Sequence, residues 1–335
     1  MKLLLVTQKV DIDDPILGFF HRWIEEFAKH AESVTVICLY EGAHNLPENV
    51  KVLSLGKEGG VSRLTYILRF YKYIWSNRKE YDSIFVHMNQ EYVLLGGLLW
   101  RLLGKKIMLW RNHAKGGVLT QIAVLFSHKV FCTSSDSFTA RFKKTTLMPV
   151  GIDTNFFKPD SSIQKKPNSI LFLGRISPVK NVDIFVEALK GLRYKKIEFS
   201  ATIAGGSSNR DAEYKKMIHD RVSEYNLGDK VKFTGSVSKV EALELYRRHE
   251  LYVNLTPHGS MDKTIFEAMA AGLDIVASND DLSSIIGENL VDKNDGQNVA
   301  IKMESALLKK KNSFRKYVVK EHGIEYLVKS IIMNS

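Results

Sequence analysis

The chain has 335 residues, 44% of them hydrophobic and 25% charged, with a formal net charge of +11. Two domains of about 150 residues each fit that length, and ordinary apolar and charged fractions exclude a disordered or membrane-embedded chain. The only cysteines, Cys38 and Cys132, lie in apolar strand-like runs and support neither a disulfide framework nor a thiolate metal site, so a reducing cytoplasm fits.

Short β-rich runs alternate with longer periodic segments along the chain, the pattern of parallel sheets covered by helices. In the first half the runs predict strands over 3–7, 33–40, 50–53, 83–87, 106–110 and 129–132, with helices between them. The opening MKLLLVTQKVDIDD turns acidic too early for a signal peptide. Segment 62–79 places polar Ser62, Thr65, Arg69, Lys72, Ser76 and Lys79 on one helical face. The rest of that helix is more apolar than one core-facing stripe requires, which fits either a membrane-surface helix or one wedged between the sheet and a neighbouring helix. The longest apolar stretch, 93–100, is far short of the roughly 20 residues a spanning helix needs. Residues 63–144 hold 14 Lys and Arg against Glu80, Asp82, Glu91 and Asp136, a net of +10. Such a segment suits an anionic partner: a phospholipid surface, a lipid diphosphate or nucleic acid. No recognised nucleic-acid motif accompanies it, so nucleic acid is not an expected partner.

The stretch MPVGIDTNFFKPDSSIQKKPNS, with three prolines and a polar run, reads as a linker. It divides a first domain, 1–155, from a second, 156–313, with 150–159 as the expected hinge. Strands are predicted in the second half over 169–174, 198–204, 231–234, 251–255 and 274–278. The last periodic segment, 314–335, is read as a C-terminal helix that packs on the second domain or crosses back to the first.

Chemistry concentrates in two places. GRISPVKN, residues 174–181, sits where the first strand of the second half ends and a helix begins, the position where α/β folds bind ligands. Gly174 permits close approach of a ligand, Arg175 offers a planar fork to phosphate oxygens, and Lys180 adds a point charge. GSMDKTIFEAMAAGLDIVAS, residues 259–278, follows a strand and opens a short helix whose free N–H groups suit an anion. Glu267 lies about one turn inside that helix, placed to accept from a ribose diol; equally, Glu267 serves the helix dipole and Asp262 or Thr264 caps.

Together these motifs resemble the donor half of the retaining glycosyltransferases of family 4, the glycosyl transferases group 1, which have the GT-B fold. MPVGIDTNFFKP is similar to that family's inter-domain segment, IAGGS to its glycine turn, and WRNHAKGG followed by HKVFCTSSDSF to its histidine-bearing loop and next strand. The resemblance implies an α/β GT-B architecture, two Rossmann-like parallel-sheet domains facing across a cleft, and transfer of a sugar from a UDP- or GDP-sugar to a glycan or lipid-linked acceptor with retention, in cell-surface polysaccharide synthesis. It implies that Arg175 and Lys180 hold the donor diphosphate, that Glu267 holds the ribose, that His113 sits near the transferred sugar, and that Gly18 is the glycine of the loop after the first strand. Gly174, Gly205, Val237, Gly259, Ser260, Asp262, Lys263 and Thr264 complete the expected donor site. Where relatives pair their glutamate with another eight residues earlier, this chain has Gly259. Backbone amides and Asp262 are expected to meet the sugar instead.

Three other signals are discounted or secondary. Asp11-Ile12-Asp13 matches a manganese-binding triplet but directly follows the first strand, and no metal or cofactor is expected. Gly205-Gly206 lacks the spacing of a dinucleotide fingerprint. His87 ends a strand and is a second candidate for the acceptor side. The competing functional readings are a non-catalytic nucleotide-binding partner subunit and a GT-B hydrolase or epimerase. Localisation is expected in the cytoplasm, with peripheral attachment to the inner face of the plasma membrane as the variant suggested by the basic segment.

Overall fold

Two runs of parallel strands, each with its own buried core, divide the computed structural model into two units: Met1–Gly151 with Ile324–Ser335, and Ile152–Gly323. Residues 1–14, 16–258, 261–309 and 314–334 are described.

In the first unit the chain runs β1 (Lys2–Val10), α1 (Phe19–His30), β2 (Ser33–Glu41), β3 (Val50–Ser54), α2 (Arg63–Ser76), β4 (Ser83–His87), α3 (Glu91–Leu102), β5 (Lys106–Trp110), α4 (Val118–Phe126), β6 (Lys129–Cys132) and β7 (Thr145–Leu147). The sheet order is β3-β2-β1-β4-β5-β6-β7, every neighbouring pair parallel. Central strands such as LLLV in β1 and SIFVH in β4 are buried throughout, as a sheet covered on both faces requires. One face packs on α1 through Phe20, Trp23, Ile24 and Phe27; the other packs on α2, α3 and α4 through Phe70, Ile74, Val93, Trp100 and Val124.

The second unit runs β8 (Ser169–Leu173), α5 (Val182–Tyr194), β9 (Ser200–Ala204), α6 (Ala212–Glu224), β10 (Val231–Gly235), α7 (Lys239–Arg248), β11 (Leu251–Asn254), α8 (Lys263–Ala270), β12 (Asp274–Ala277), α9 (Ser283–Ile286), α10 (Gly296–Leu308) and α11 (Arg315–Glu321). Its sheet order is β10-β9-β8-β11-β12, again parallel. The order reverses at β8, with β9 on one side and β11 on the other. The carboxyl ends of β8 and β11 therefore form the switch point where open α/β sheets leave a crevice for ligands.

The segment 314–335, expected as one helix, is two. α11 stays with the second unit, where Arg315 donates to the carbonyls of Phe157 (2.9 Å) and Thr154 (3.0 Å). The periodicity breaks at His322 and Gly323. α12 (Ile324–Met333) then joins the first unit, setting Ile324, Leu327, Val328 and Ile331 into the core against α1. The first division falls at Gly151, ahead of the boundary at 155 drawn from the linker. Gly151 has φ +76°, and a Cβ there would lie 2.3 Å from Leu327 Cδ2 and 2.9 Å from Trp23 Cζ2. Only glycine lets the chain leave beneath α12.

Candidate active site

The switch point of the second unit gathers most of the polar residues expected to bind a donor. β8 ends at Leu173, and Gly174 continues it by donating its N–H to Ala204 O (2.9 Å). The side chain of Lys180 passes over Gly174, whose missing Cβ would sit 3.9 Å from Lys180 Cε. Asn181 then turns left-handed (φ +50°), a conformation asparagine tolerates, and starts α5; its Nδ2 donates to Leu255 O (2.8 Å), tying this loop to the end of β11. On the other side, Gly205 has φ +147° and approaches so closely that a Cβ would lie 1.9 Å from Gly174 O. The glycine turn IAGGS is thus a backbone requirement of the loop that carries Arg175.

Arg175 is exposed, and no hydrogen bond or ion pair among the described residues holds its guanidinium. It borders a cavity of about 670 Å³ whose other walls are Ser207, Ser208, Asn209, Arg210 and Asp211, so a second guanidinium faces the same space. Lys180 is in the opposite condition. Its Nζ donates to Asp262 Oδ2 (2.5 Å) and to Thr256 Oγ1 (3.0 Å), with both charged side chains mostly buried.

Asp262 organises the start of α8. Its Oδ1 accepts from the backbone N–H of Thr264 (3.2 Å) and from Thr264 Oγ1 (2.9 Å), an N-cap arrangement; its Oδ2 accepts from Lys180 and from Asn254 Nδ2 (3.2 Å). Burial alone would raise this carboxyl, yet Lys180 and the three further donors outweigh it and hold the pKa down at about 2. The expectation that Asp262 meets the sugar is thereby modified: its oxygens are occupied by Lys180 and by the helix cap. Tyr252, buried in β11, completes the network, with its Oη 2.7 Å from Thr264 Oγ1 and 3.0 Å from Leu173 O. This one hydroxyl bridges the end of β8 and the start of α8.

One turn into α8, Glu267 accepts from the Oη of buried Tyr246 (3.2 Å). Burial pushes the Glu267 carboxyl up, opposed by the charge of Lys263 and by the Tyr246 hydrogen bond. Burial and the nearby Lys239 push the Lys263 ammonium down, opposed by Glu267. The pair therefore sits in a region of reduced solvation at the same helix end. Val237 follows β10 half-buried on this edge of the sheet, where Gly205 N–H donates to Gly235 O (2.8 Å). Gly259 and Ser260 lie outside the described residues.

Gly18 and His113 belong to the first unit. Gly18 caps α1 and needs its missing side chain, since a Cβ would stand 2.5 Å from Asp14 O. The loop before it is held by Lys9, which pairs with Asp11 (3.0 Å) and Asp14 (2.7 Å), while Asp14 Oδ1 accepts from the amides of Ile16 and Leu17. Asp11 thus has a structural partner in Lys9. His113 is exposed in the loop after β5; the amide and carbonyl of Lys115 both close on its Nδ1 (each 3.0 Å), and Nε2 makes no hydrogen bond among the described residues. His87 is corrected. It is 2% exposed, its ring stacked on Phe20 at 4.1 Å, so the end of β4 points it into the aromatic core.

Sequence reasoning missed Tyr246, Tyr252, Asn254 and Thr256. For Tyr252, Asn254 and Thr256 the available signal was polar side chains in an otherwise apolar strand run, LYVNLTP, immediately before the second motif; Tyr246 lies earlier, in α7, outside that run.

A glycine-braced basic loop and a capped helix start on adjacent switch-point strands match a known family. Its model, Glycosyl transferases group 1, matches residues 153–321, half of the chain. The chain belongs to the glycosyl transferases group 1. Within such transferases, the mannosylfructose-phosphate synthase of Agrobacterium fabrum is 27% identical over 148 residues, 41% of this chain and 33% of that protein. The lipopolysaccharide core biosynthesis mannosyltransferase LpsB of Rhizobium meliloti is 27% identical over 143 residues, 40% of this chain and 40% of that protein. The matches therefore span well under half the length of these curated relatives. Anabaena Alr3699/HepE, solved in complex with UDP, is similar over 99% of both chains with a TM-score of 0.79 and 18% identity. That likeness shows the fold, GT-B, with a parallel-sheet α/β unit in each half.

Proposed function

We propose that this chain is a metal-independent retaining glycosyltransferase that takes a sugar from a nucleoside-diphosphate donor, UDP or GDP, and transfers it to a hydroxyl of a glycan or lipid-linked acceptor in cell-surface polysaccharide assembly. The observation that carries the reading is the placement of Arg175, exposed and with no hydrogen-bond or ion-pair partner among the described residues, on the same loop as Lys180, which reaches the start of α8 at the switch point of the second unit. Curated relatives named a mannosylfructose-phosphate synthase and a lipopolysaccharide core biosynthesis mannosyltransferase, and a structural neighbour solved in complex with UDP, support it.

In this reading Arg175 grips the diphosphate, and Lys180 shares its charge between Asp262 and a phosphate oxygen. Glu267, presented by α8 and steadied by Tyr246, accepts from the ribose hydroxyls, and backbone near Val237 meets the base. The bond between the sugar anomeric carbon and the diphosphate oxygen breaks as the acceptor oxygen bonds to that carbon from the same face, and the acceptor proton passes to a phosphate oxygen. Among the described residues Asp262 and Glu267 are both engaged, and Asp211 on the wall of the Arg175 cavity accepts from Ser208 Oγ (2.7 Å), so the reading assigns no carboxylate to a covalent intermediate. The cations and the α8 amides stabilise charge that grows on the leaving diphosphate, the interaction that accelerates such a step. The role proposed for His113 is to meet the transferred sugar, with Nε2 as the ring nitrogen that the Lys115 contacts at Nδ1 leave available.

The test is a product assay with UDP- and GDP-sugars in the presence of chelator. Nucleoside diphosphate released only when acceptor is present, with the anomeric configuration kept by NMR, is the expected outcome. Release without acceptor would make the chain a hydrolase, and inversion would refute the front-face route.

A further inference from the structure

Three helices on one face of the first unit carry apolar side chains that no described residue covers. α2, α3 and α4 lie side by side: Tyr71 Oη donates to Leu95 O (2.8 Å), Arg101 Nε donates to Phe126 O (2.9 Å), and Gly97 lets Phe126 approach its missing Cβ to 3.0 Å. Their inner sides, through Phe70, Trp100 and Val124, bury the core beneath. Their outer sides carry Leu64, Leu68 and Trp75 at helical spacing on α2, Leu98 and Leu102 one turn apart on α3, and Val118 and Leu125 two turns apart on α4, all exposed. The sequence had pointed only to the first of these helices. α2 is both a wedge against α3 and the bearer of an outward apolar stripe.

Charge says what covers this face. α2 and α4 contain no Asp or Glu, and α3 has only Glu91, at its first residue. Lys72 and Arg101 are exposed on the same helices, Arg78 stacks on Trp75 at 4.5 Å, and the segment 63–144 has a net charge of +10. A second copy in two-fold contact would set those cations against themselves, a like-charge arrangement that costs binding. An anionic bilayer matches both parts at once, its acyl boundary taking the leucines and its headgroups the basic rim.

We propose that the outer face of α2, α3 and α4 binds the surface of an anionic phospholipid membrane. The inference goes beyond the donor chemistry and does not depend on it; only its bearing on the acceptor, that a lipid-borne one is met at this surface, rests on the transferase reading. Among the described residues no helix is long and apolar enough to cross a membrane, so the attachment is a lying-on contact.

The experiment is flotation of the full chain with vesicles of phosphatidylcholine plus phosphatidylglycerol and with vesicles of phosphatidylcholine alone, at low and high salt. Preferential binding to the anionic vesicles, weakened by salt, is expected. Leu68→Glu, Leu102→Glu and Leu125→Glu combined alter side chains that are 62%, 77% and 68% exposed, so the core stays intact. The triple variant should lose roughly tenfold or more of the partitioning, with unchanged far-UV circular dichroism and unchanged nucleotide binding. Brominated acyl chains should quench Trp75, since Trp23, Trp100 and Trp110 are buried. Absence of flotation with anionic vesicles, or a triple variant that floats like the wild type, overturns the proposal. So does a dimer in sedimentation equilibrium that the triple variant dissolves without vesicles, which would make the face a contact between copies. A donor site that fails to bind nucleotide leaves the flotation result standing, so the two readings fail separately.

Discussion

Replacing Asp262 by Asn tests how the basic loop and α8 are held together. The substitution keeps the shape and the capping acceptor for the Thr264 amide, because Asn caps helices about as well as Asp. It removes the charge facing Lys180. The Asp262 carboxyl is depressed from 3.8 to about 2, which at 1.36 kcal/mol per pH unit makes the ionised form worth about 2 kcal/mol to the folded state. The sign follows from the direction: a carboxyl lowered on folding stabilises above its unfolded pKa, and the contribution disappears as pH falls from about 4 through about 2. All four tryptophans, Trp23, Trp75, Trp100 and Trp110, lie in the first unit. Urea unfolding followed by tryptophan fluorescence therefore reads the first unit, and far-UV circular dichroism reads both. D262N should lower the stability of the second unit at pH 7 by about 2 kcal/mol, leave the fluorescence transition in place, and reduce the difference between pH 4 and pH 2, the remainder coming from other lowered carboxyls such as Asp160 and Asp229. Adding Lys180→Met should recover part of the loss, since a mostly buried ammonium without its carboxylate is then removed. An unchanged dichroism midpoint in D262N, or a double variant no more stable than D262N, would refute the coupling.

Gly205→Ala should destabilise the second unit by about 3 kcal/mol or more and abolish nucleotide binding, because the new Cβ falls 1.9 Å from Gly174 O at φ +147°; calorimetric titration with UDP and GDP reads the binding, and a variant that binds normally contradicts the bracing role. His113→Ala should leave stability within about 0.5 kcal/mol, as an exposed position predicts, while lowering turnover on the order of 100-fold if Nε2 donates to the sugar as charge develops. Steady-state rates with donor and acceptor check it, and an unaltered rate removes His113 from the mechanism.

Strand positions were legible because buried parallel strands read as apolar runs, and 83–87, 106–110 and 129–132 agree with β4, β5 and β6 residue for residue. β7 escaped because Thr145–Leu147 is short, polar and at the sheet edge, with neither an apolar run nor alternation to mark it. The break at Gly323 was available as a glycine inside a periodic segment and was overridden by the apolar spacing on either side. In the site, Arg175, Lys180, Asp262, Thr264 and Glu267 were visible as motif residues. That Lys180 and Asp262 form one ion pair was not, since their partnership depends on β8 and β11 being neighbours, a fact of topology. His87 and His113 both follow strands, yet only the structure separates them: one is turned into the aromatic core by α1, the other stands on an exposed loop. The apolar stretch 93–100 read only as too short to span a membrane, and its division between core and surface was not legible. In α3, Val93 and Trp100 are core, and Leu98 faces outward.

The central claim is that the switch point of the second unit holds a nucleoside diphosphate by its cations. Arg175→Ala is the cleanest probe, because the side chain is exposed and holds no partner among the described residues. The decisive measurement is isothermal titration of wild type and R175A with UDP, GDP, ADP and CMP in chelator. One diphosphate binding the wild type and binding R175A about tenfold or more weaker, a loss in the range of a charge-assisted hydrogen-bond pair, is the predicted result; equal affinity in the two proteins, or no nucleotide binding to the wild type, would contradict the account.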